Sequence, residues 1–242
     1  MRSRLLLAAS GCLVAAVLVR ESTLERRLLR ADPNSIPDNP ALMQFARERG
    51  EALFEIHCSA CHGRHGEADP ARGVPSLADR EWLYGTGLVS DIEQVIKYGI
   101  RSYHPRAWNL AIMPAYASAQ PSARDASIKP LSPANIRDLV DFMVQKQRRE
   151  ADPVAAARGA LLFTGPAGCY DCHAVDAKGD SAIGAPDLTD PNSLYGNSRE
   201  ALTMSISHGR HGMCPAWVGR IPAAALRETS VYVYSLSHPG GG

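Results

Sequence analysis

The chain has 242 residues, of which 45% are apolar, so it can build one large core or two small ones. Its 26 basic and 25 acidic side chains leave a net charge of +1, which argues against nucleic-acid binding because that needs a basic surface. Aromatic residues make up only 6%, which is few for two small cores unless another apolar group fills them.

The N-terminus has the pattern of an export signal. Arg2 and Arg4 precede an apolar run over residues 5–19, which is shorter than the roughly 20 residues that a spanning helix needs. No small-x-small cleavage site follows, so residues 1–20 are expected to form an uncleaved signal-anchor, with a cleaved signal peptide as the alternative. Cys12 is expected to be an ordinary apolar residue of this segment. In either case the body of the protein is exported.

The rest of the chain shows helical patterns and no strand patterns. Residues 21–38 are charged, contain proline and are expected to form a tether. Helix starts are predicted where a capping side chain precedes a proline, because proline suits the first helical position. Such starts lie at Asn39-Pro40, Ser132-Pro133 and Asp152-Pro153, and further helices are predicted over residues 91–97, 199–207 and 223–236. The predicted fold class is all-α.

A block of short motifs occurs twice in the same order, which indicates two copies of one domain. The recurring blocks are Arg-Gly at 49–50 and 158–159, Cys-x-x-Cys-His at 58–62 and 169–173, Gly-x-Pro-x-Leu at 73–77 and 184–188, Leu-Tyr-Gly at 83–85 and 194–196, and Pro-Ala-aromatic at 114–116 and 215–217. The repeat predicts a first domain over residues 39–147, a linker over 148–152 and a second domain over 153–238.

The Cys-x-x-Cys-His motif is the attachment site of c-type haem. Two cysteines three apart reach the two vinyl groups of one porphyrin, and the adjacent histidine points at the iron. A zinc site would need four ligands and a redox dithiol would not need the histidine, so neither explains the motif at both points of the repeat. Two haems are therefore predicted, and they also compensate for the few aromatics. The predicted attachment and proximal residues are Cys58, Cys61 and His62 for the first haem and Cys169, Cys172 and His173 for the second.

The sixth ligand of each iron is predicted to be the residue directly before the Pro-Ala-aromatic block. In the first copy this residue is Met113, with His104 as the rival and a simple core role as the bland alternative. In the second copy the equivalent residue is Cys214, which would make haem 2 a His/Cys haem of low potential. The alternatives are Met213 after a one-residue slip, His208 or His211, or Cys214 as a free thiol beside an open iron.

Further residues are expected to support the haems. Pro75 and Pro186 follow their motifs by the same interval, and the carbonyl of each can accept a hydrogen bond from the proximal histidine. Arginine, tyrosine and tryptophan side chains near the motifs are candidates for contacts with a haem edge or propionate. They are Trp82, Tyr84, Arg101, Tyr195, Arg210 and Trp217.

These motifs resemble those of a known family. Both copies resemble class I cytochrome c domains, and the segments 73–77, 82–85, 209–212, 215–217 and 232–236 are similar to the dihaem subunit III of cbb3-type cytochrome oxidases. The resemblance covers residues 41–237. Two departures are the single short apolar run, where the family has two spanning helices, and Cys214, where the family has methionine. They fit a free-standing, membrane-tethered relative.

The resemblance implies a dihaem electron carrier on the periplasmic side of the bacterial inner membrane. It would be anchored through residues 1–20, or soluble in the periplasm if that segment is cleaved, and would exchange electrons with a cytochrome or terminal oxidase. The alternative is an enzyme with a Cys-ligated haem, similar to thiosulfate dehydrogenases or dihaem peroxidases.

Overall fold

The computed structural model describes residues 19–191 and 193–239, and within them the chain is helical with only isolated β-bridges. This confirms the all-α prediction. The helices are α1 (residues 19–30), α2 (Pro40–His57), α3 (Ser59–His62), α4 (Val89–Tyr98), α5 (Pro133–Lys146), α6 (Pro153–Phe163), α7 (Tyr170–His173), α8 (Arg199–His208) and α9 (Ala223–Ser237), with 3-10 turns at Pro33–Ser35 and Pro70–Arg72.

The predicted caps begin three of these helices. The Asn39 side chain accepts a hydrogen bond from the backbone N–H of Leu42, and the Ser132 hydroxyl accepts one from Asn135. Asp152 caps α6 in the same way. In each case a proline follows the cap, as the sequence predicts.

The predicted signal-anchor falls almost entirely on residues 1–18, which lie outside the described part of the chain. Among the helices that are described, none combines the length and the apolar character needed to cross a membrane.

The segment predicted to be a tether is packed on the protein instead. Leu28 in α1 and Ile36 after the first 3-10 turn are fully buried. The Arg227 guanidinium in α9 donates hydrogen bonds to the carbonyls of Leu28 and Ala31, which lie at the end of α1. The segment packs because it contains apolar side chains at helical spacing among its charged residues, and these apolar side chains contact the core.

The long helices pair across the repeat rather than within it. Helix α2 packs on α9, and α5 packs on α6. At each crossing a glycine lets the backbones touch, because a Cβ at Gly50 would collide with the Glu228 carbonyl and one at Gly159 with the Asp138 carbonyl. Aromatic pairs lie beside these glycines, with ring centroids 5.2 Å apart for Phe54 and Tyr232 and 5.1 Å for Phe142 and Phe163.

The chain crosses between the two bodies at Ile100 and Cys214. These residues exchange two backbone N–H to carbonyl hydrogen bonds, each 3.0 Å long. A similar backbone contact joins the two repeats again near Met113, where the Tyr116 N–H donates to the carbonyl of Ile206 at 3.1 Å. The second half of each repeat therefore completes the body begun by the other.

Two folded domains result, and they differ from the repeat units. The continuous domain is formed by residues 109–209, and the split domain by residues 19–100 together with 212–239. The predicted boundaries at 39–147 and 153–238 follow the sequence repeat, whereas the packing groups α5 with α6 and α8, and α2 with α4 and α9.

A buried ion pair joins three helices of the split domain. The Arg227 guanidinium lies 2.7 Å from the Glu93 carboxylate, and both side chains are at most 10% exposed. Lys97 contacts the same carboxylate at 2.6 Å. With its bonds to the end of α1, Arg227 has its charge compensated and its donors occupied.

Removing Glu93 is expected to destabilise the split domain. Glu93→Ala leaves the Arg227 charge buried without its partner, which should cost about 3 kcal/mol of unfolding free energy. Denaturant unfolding followed by circular dichroism measures this loss. The matched control is Arg158→Ala, which breaks the pair between Asp138 and an arginine that is 55% exposed and should change the stability far less. Equal losses in the two variants would contradict the role of the buried pair.

A fragment containing residues 109–209 is expected to fold alone and to bind one haem, because it contains both helices of the α5–α6 pair. The repeat unit 153–238 lacks α5 and α2, so its α6 and α9 have no partners and it is expected to stay largely unfolded. Far-ultraviolet circular dichroism and the mass of the purified fragments measure the difference. A well-folded 153–238 fragment would contradict the exchanged pairing.

Candidate haem sites

Each Cys-x-x-Cys-His motif forms a single helical turn. The backbone N–H of His62 donates to the carbonyl of Cys58, and that of His173 donates to Cys169, each at 3.0 Å. The turn brings both cysteines of a motif to one side of the chain with the histidine beside them. The thiols of Cys58, Cys61, Cys169 and Cys172 are all free of disulfides, as covalent attachment of haem requires.

The histidines of the two motifs, His62 and His173, favour the neutral form. Burial lowers the pKa of both imidazoles, because the charged form is poorly solvated there. The Nδ1 atom of His173 lies 3.1 Å from the Pro186 carbonyl, as the sequence predicts, so Nδ1–H donation leaves a lone pair on Nε2 for a metal. The Nδ1 atom of His62 is buried without a hydrogen-bond partner in the described structure. The Pro75 carbonyl nevertheless lies close enough to raise the pKa of the His62 imidazole, which offsets part of the lowering caused by burial.

The structure exchanges the sulfur residues between the two sites. Met113 packs against the same buried cluster as Cys169, in the continuous domain. Cys214 lies beside the thiols of Cys58 and Cys61, in the split domain. This corrects the expected pairing of Met113 with the first motif and Cys214 with the second, and the cause is the crossing of the chain at Ile100 and Cys214.

The thiols of these sites are desolvated. Burial, together with the neighbouring Cys214 and Cys61, raises the pKa of Cys58 to about 12. Burial also raises the pKa of Cys214 and of Cys169 to about 11. Cys214 is therefore a thiol near neutral pH unless a metal ion takes the place of its proton.

Three of the rival ligands are exposed to solvent. Met213 is 69% exposed. His208 and His211 are exposed as well. The His104 ring packs on Tyr98, with centroids 4.7 Å apart.

The two tryptophans predicted to support the haems both lie in the split domain. Trp82 packs in the same cluster as Cys58, Leu77 and Ile96. The Trp217 ring lies 4.9 Å from that of His57, the last residue of α2. Trp217 belongs to the second repeat and lies three residues after Cys214, so both residues pack in the split domain.

The predicted tyrosines and arginines meet at the interface between the domains. The Tyr84 ring packs on Gly184 of the continuous domain, and Tyr195 packs on Gly73 of the split domain. A guanidinium lies over each ring, with Arg101 5.8 Å from the Tyr84 centroid and Arg210 3.9 Å from that of Tyr195. Since Gly73 and Gly184 lie two residues before Pro75 and Pro186, these contacts connect the surroundings of the two proximal histidines.

Two residues near the sites were not predicted. Arg72 donates to the sulfur of Cys61 at 3.1 Å and to the carbonyl of Ala60. Its counterpart in the second copy is an isoleucine, so the repeat offered no signal for it. The Tyr116 hydroxyl donates to the Ala167 carbonyl, and its ring packs near Cys169. The Pro-Ala-aromatic block did mark Tyr116, although the repeat assigned it to the first site.

Comparisons with known proteins agree with the two-domain reading. The family described as cytochrome c oxidase, cbb3-type, subunit III matches residues 45–143, and the family described as cytochrome c matches residues 156–230. Each match includes one Cys-x-x-Cys-His motif. The chain thus has two cytochrome c domains in sequence, which is consistent with two covalently bound c-type haems.

Individual relatives match over most of the chain. It is 35% identical to a protein named cbb3-type cytochrome c oxidase subunit FixP from Bradyrhizobium sp. (strain ORS 278), over 89% of this chain and 68% of that protein. It is 34% identical to subunit CcoP of Rhodobacter capsulatus, over 95% and 74%, and 31% identical to subunit CcoP of Cereibacter sphaeroides, over 95% and 73%.

Proposed function

Because the chain belongs to the subunit III family of cbb3-type cytochrome c oxidases, we propose that it is a dihaem c-type cytochrome that passes electrons between respiratory-chain partners. Cys58, Cys61 and His62 would hold one haem, with Cys214 as the further ligand to its iron. Cys169, Cys172 and His173 would hold the other, with Met113 as the further ligand.

The observation that carries the proposal is the donor set of each site. Each site combines two thiols on one helical turn, a neutral imidazole and a sulfur atom from the exchanged segment. A histidine and a sulfur residue that would each ligate the iron are typical of electron-transfer haems, so this donor set favours electron transfer over catalysis.

The residues around each site would set the reduction potential of a bound haem. The iron of such a haem supplies a one-electron redox step. A thioether ligand raises the reduction potential, whereas a thiolate ligand lowers it. We therefore assign the low-potential haem to the first motif, through Cys214, and the high-potential haem to the second, through Met113. The Pro186 carbonyl holds the His173 ring by its Nδ1–H, and burial of both histidines keeps their protons from competing with the metal.

The relatives support a proposal for the partners and the location. Relatives named as cbb3-type oxidase subunits suggest that this chain delivers electrons to such an oxidase or to a related terminal acceptor. Redox proteins dock through small, weak interfaces, so the contact need not be permanent. We place the two domains on the periplasmic side of the bacterial inner membrane, held by residues 1–20, or free in the periplasm if that segment is cleaved.

A second candidate function rests on Cys214. A thiolate-ligated haem beside a methionine-ligated one would also suit an enzyme similar to a thiosulfate dehydrogenase or a dihaem peroxidase. If the chain is only a carrier, thiosulfate is expected not to reduce the haems of the purified protein. The protein is also expected to consume no peroxide. Turnover of either compound that is lost in Cys214→Met would favour the enzyme.

Single-haem variants test the ligand sets. The double variant C169S/C172S keeps only the first haem and is expected to retain the low-spin thiolate signal in low-temperature EPR of the oxidised protein. The double variant C58S/C61S keeps only the second haem and is expected to show only a Met/His signal. The pairing predicted from the repeat gives the reverse result.

The controls address the sixth ligands directly. C214M is expected to remove the thiolate signal and to raise the lower reduction potential, because thioether replaces thiolate. M213L changes the neighbouring exposed side chain and should leave both signals as they are. A thiolate signal that follows the second haem, or that is lost in M213L, would overturn the proposed ligand sets.

A further inference from the structure

We propose that Arg101 is a positioning residue that locks the sixth-ligand segments of both haems together, so that the two sixth positions open and close in a coupled way. This inference rests on the proposed ligand sets. The sequence suggested instead that Arg101 contacts a haem edge or propionate.

The guanidinium of Arg101 bonds both segments. Its Nε donates to the carbonyl of Gly212 at 2.6 Å, and its Nη1 donates to the carbonyl of Ala111 at 3.2 Å. Each carbonyl lies two residues before a sixth-ligand candidate, Gly212 before Cys214 and Ala111 before Met113. One side chain thus connects the segment that serves the split domain to the segment that serves the continuous domain.

The backbone of Arg101 is held in an unfavourable shape. Its φ of 47° lies in the left-handed region, which costs energy for a residue with a Cβ. The Arg101 N–H donates to the Trp108 carbonyl at 3.0 Å, and the neighbouring Ile100 pairs with Cys214. The surrounding structure therefore fixes the direction in which the guanidinium leaves the chain.

The chemistry of the side chain suits this role. In the described part of the chain Arg101 forms no ion pair with a carboxylate, so its charged donors serve backbone carbonyls and the face of Tyr84. Hydrogen bonds from a charged donor are stronger than neutral ones. A planar fork can satisfy two diverging carbonyls at once, whereas a lysine ammonium lacks that fixed geometry.

Coupling follows from sharing one guanidinium. When the segment before Met113 moves away from its iron, Arg101 loses one of its two carbonyl partners and its hold on the segment before Cys214 weakens. The reverse applies when Cys214 moves. Neither segment has to touch the other haem for its motion to be felt there.

The test compares variants of the haem-loaded full chain. In the reduced protein, carbon monoxide binds an iron only when the sixth ligand leaves, so its binding rate reports how often each position opens. Loss of one charged hydrogen bond per segment in R101Q is expected to raise this rate roughly tenfold at both haems. R101K keeps the charge without the fork and should raise the rate at both haems to a smaller extent.

R106Q is the matched control. Arg106 also lies over a tyrosine ring, 4.1 Å from the centroid of Tyr98, but its side chain is exposed and within the described residues its guanidinium donates to neither sixth-ligand segment. Its binding rates are expected to stay within about twofold of the wild type. Absorption changes of the two differently ligated haems separate the rates.

Three results would overturn the proposal. They are a rate increase at one haem only, equal increases in R101Q and R106Q, and unchanged rates in both Arg101 variants. If R101Q does not load haem, R101K decides the question alone. Failure of the ligand sets themselves is visible separately, because wild-type EPR would then lack the thiolate or the Met/His signal.

Discussion

The structure depends on two helix crossings at which glycine lets backbones touch. Gly50 meets α9 and Gly159 meets α5, so each crossing joins helices from different repeats. Once these pairs form, the segments that lead into α5 and α9 must cross as well. The exchange of Met113 and Cys214, the docking of Tyr84 and Tyr195 and the bridging position of Arg101 all follow from that crossing. The fold is therefore one interlocked unit built from two similar halves.

Local chemistry made much of the molecule predictable. The caps at Asn39 and Ser132, the turn of each Cys-x-x-Cys-His motif and the Pro186 carbonyl beside His173 depend on residues close in sequence. Helix bounds and the all-α class follow from the same kind of signal. The sites were found because two thiols and an imidazole at fixed spacing have one familiar use.

The pairing of halves was not predictable, because both arrangements satisfy the same pattern. Each repeat supplies a glycine and a phenylalanine on its first helix, and an acidic residue and an aromatic on its last, so either last helix can serve either first helix. Arg49 with Glu228 and Arg158 with Asp138 form equivalent ion pairs in the exchanged arrangement. Only long-range packing distinguishes pairing within a repeat from pairing between repeats. The order of motifs along the chain favours pairing within a repeat, which is not the observed arrangement.

The nesting of one domain inside the other has a consequence for biogenesis. A chain that emerges from its N-terminus completes residues 109–209 while the partner of α2 is still unmade. The domain that starts first is thus finished last, when α9 arrives and covers Leu28 and Phe54. Until then the cysteine pair of the first motif lacks the cover of α9, and Cys214 is not yet available to its site. The path of the backbone thus makes the two sites complete at different times during synthesis.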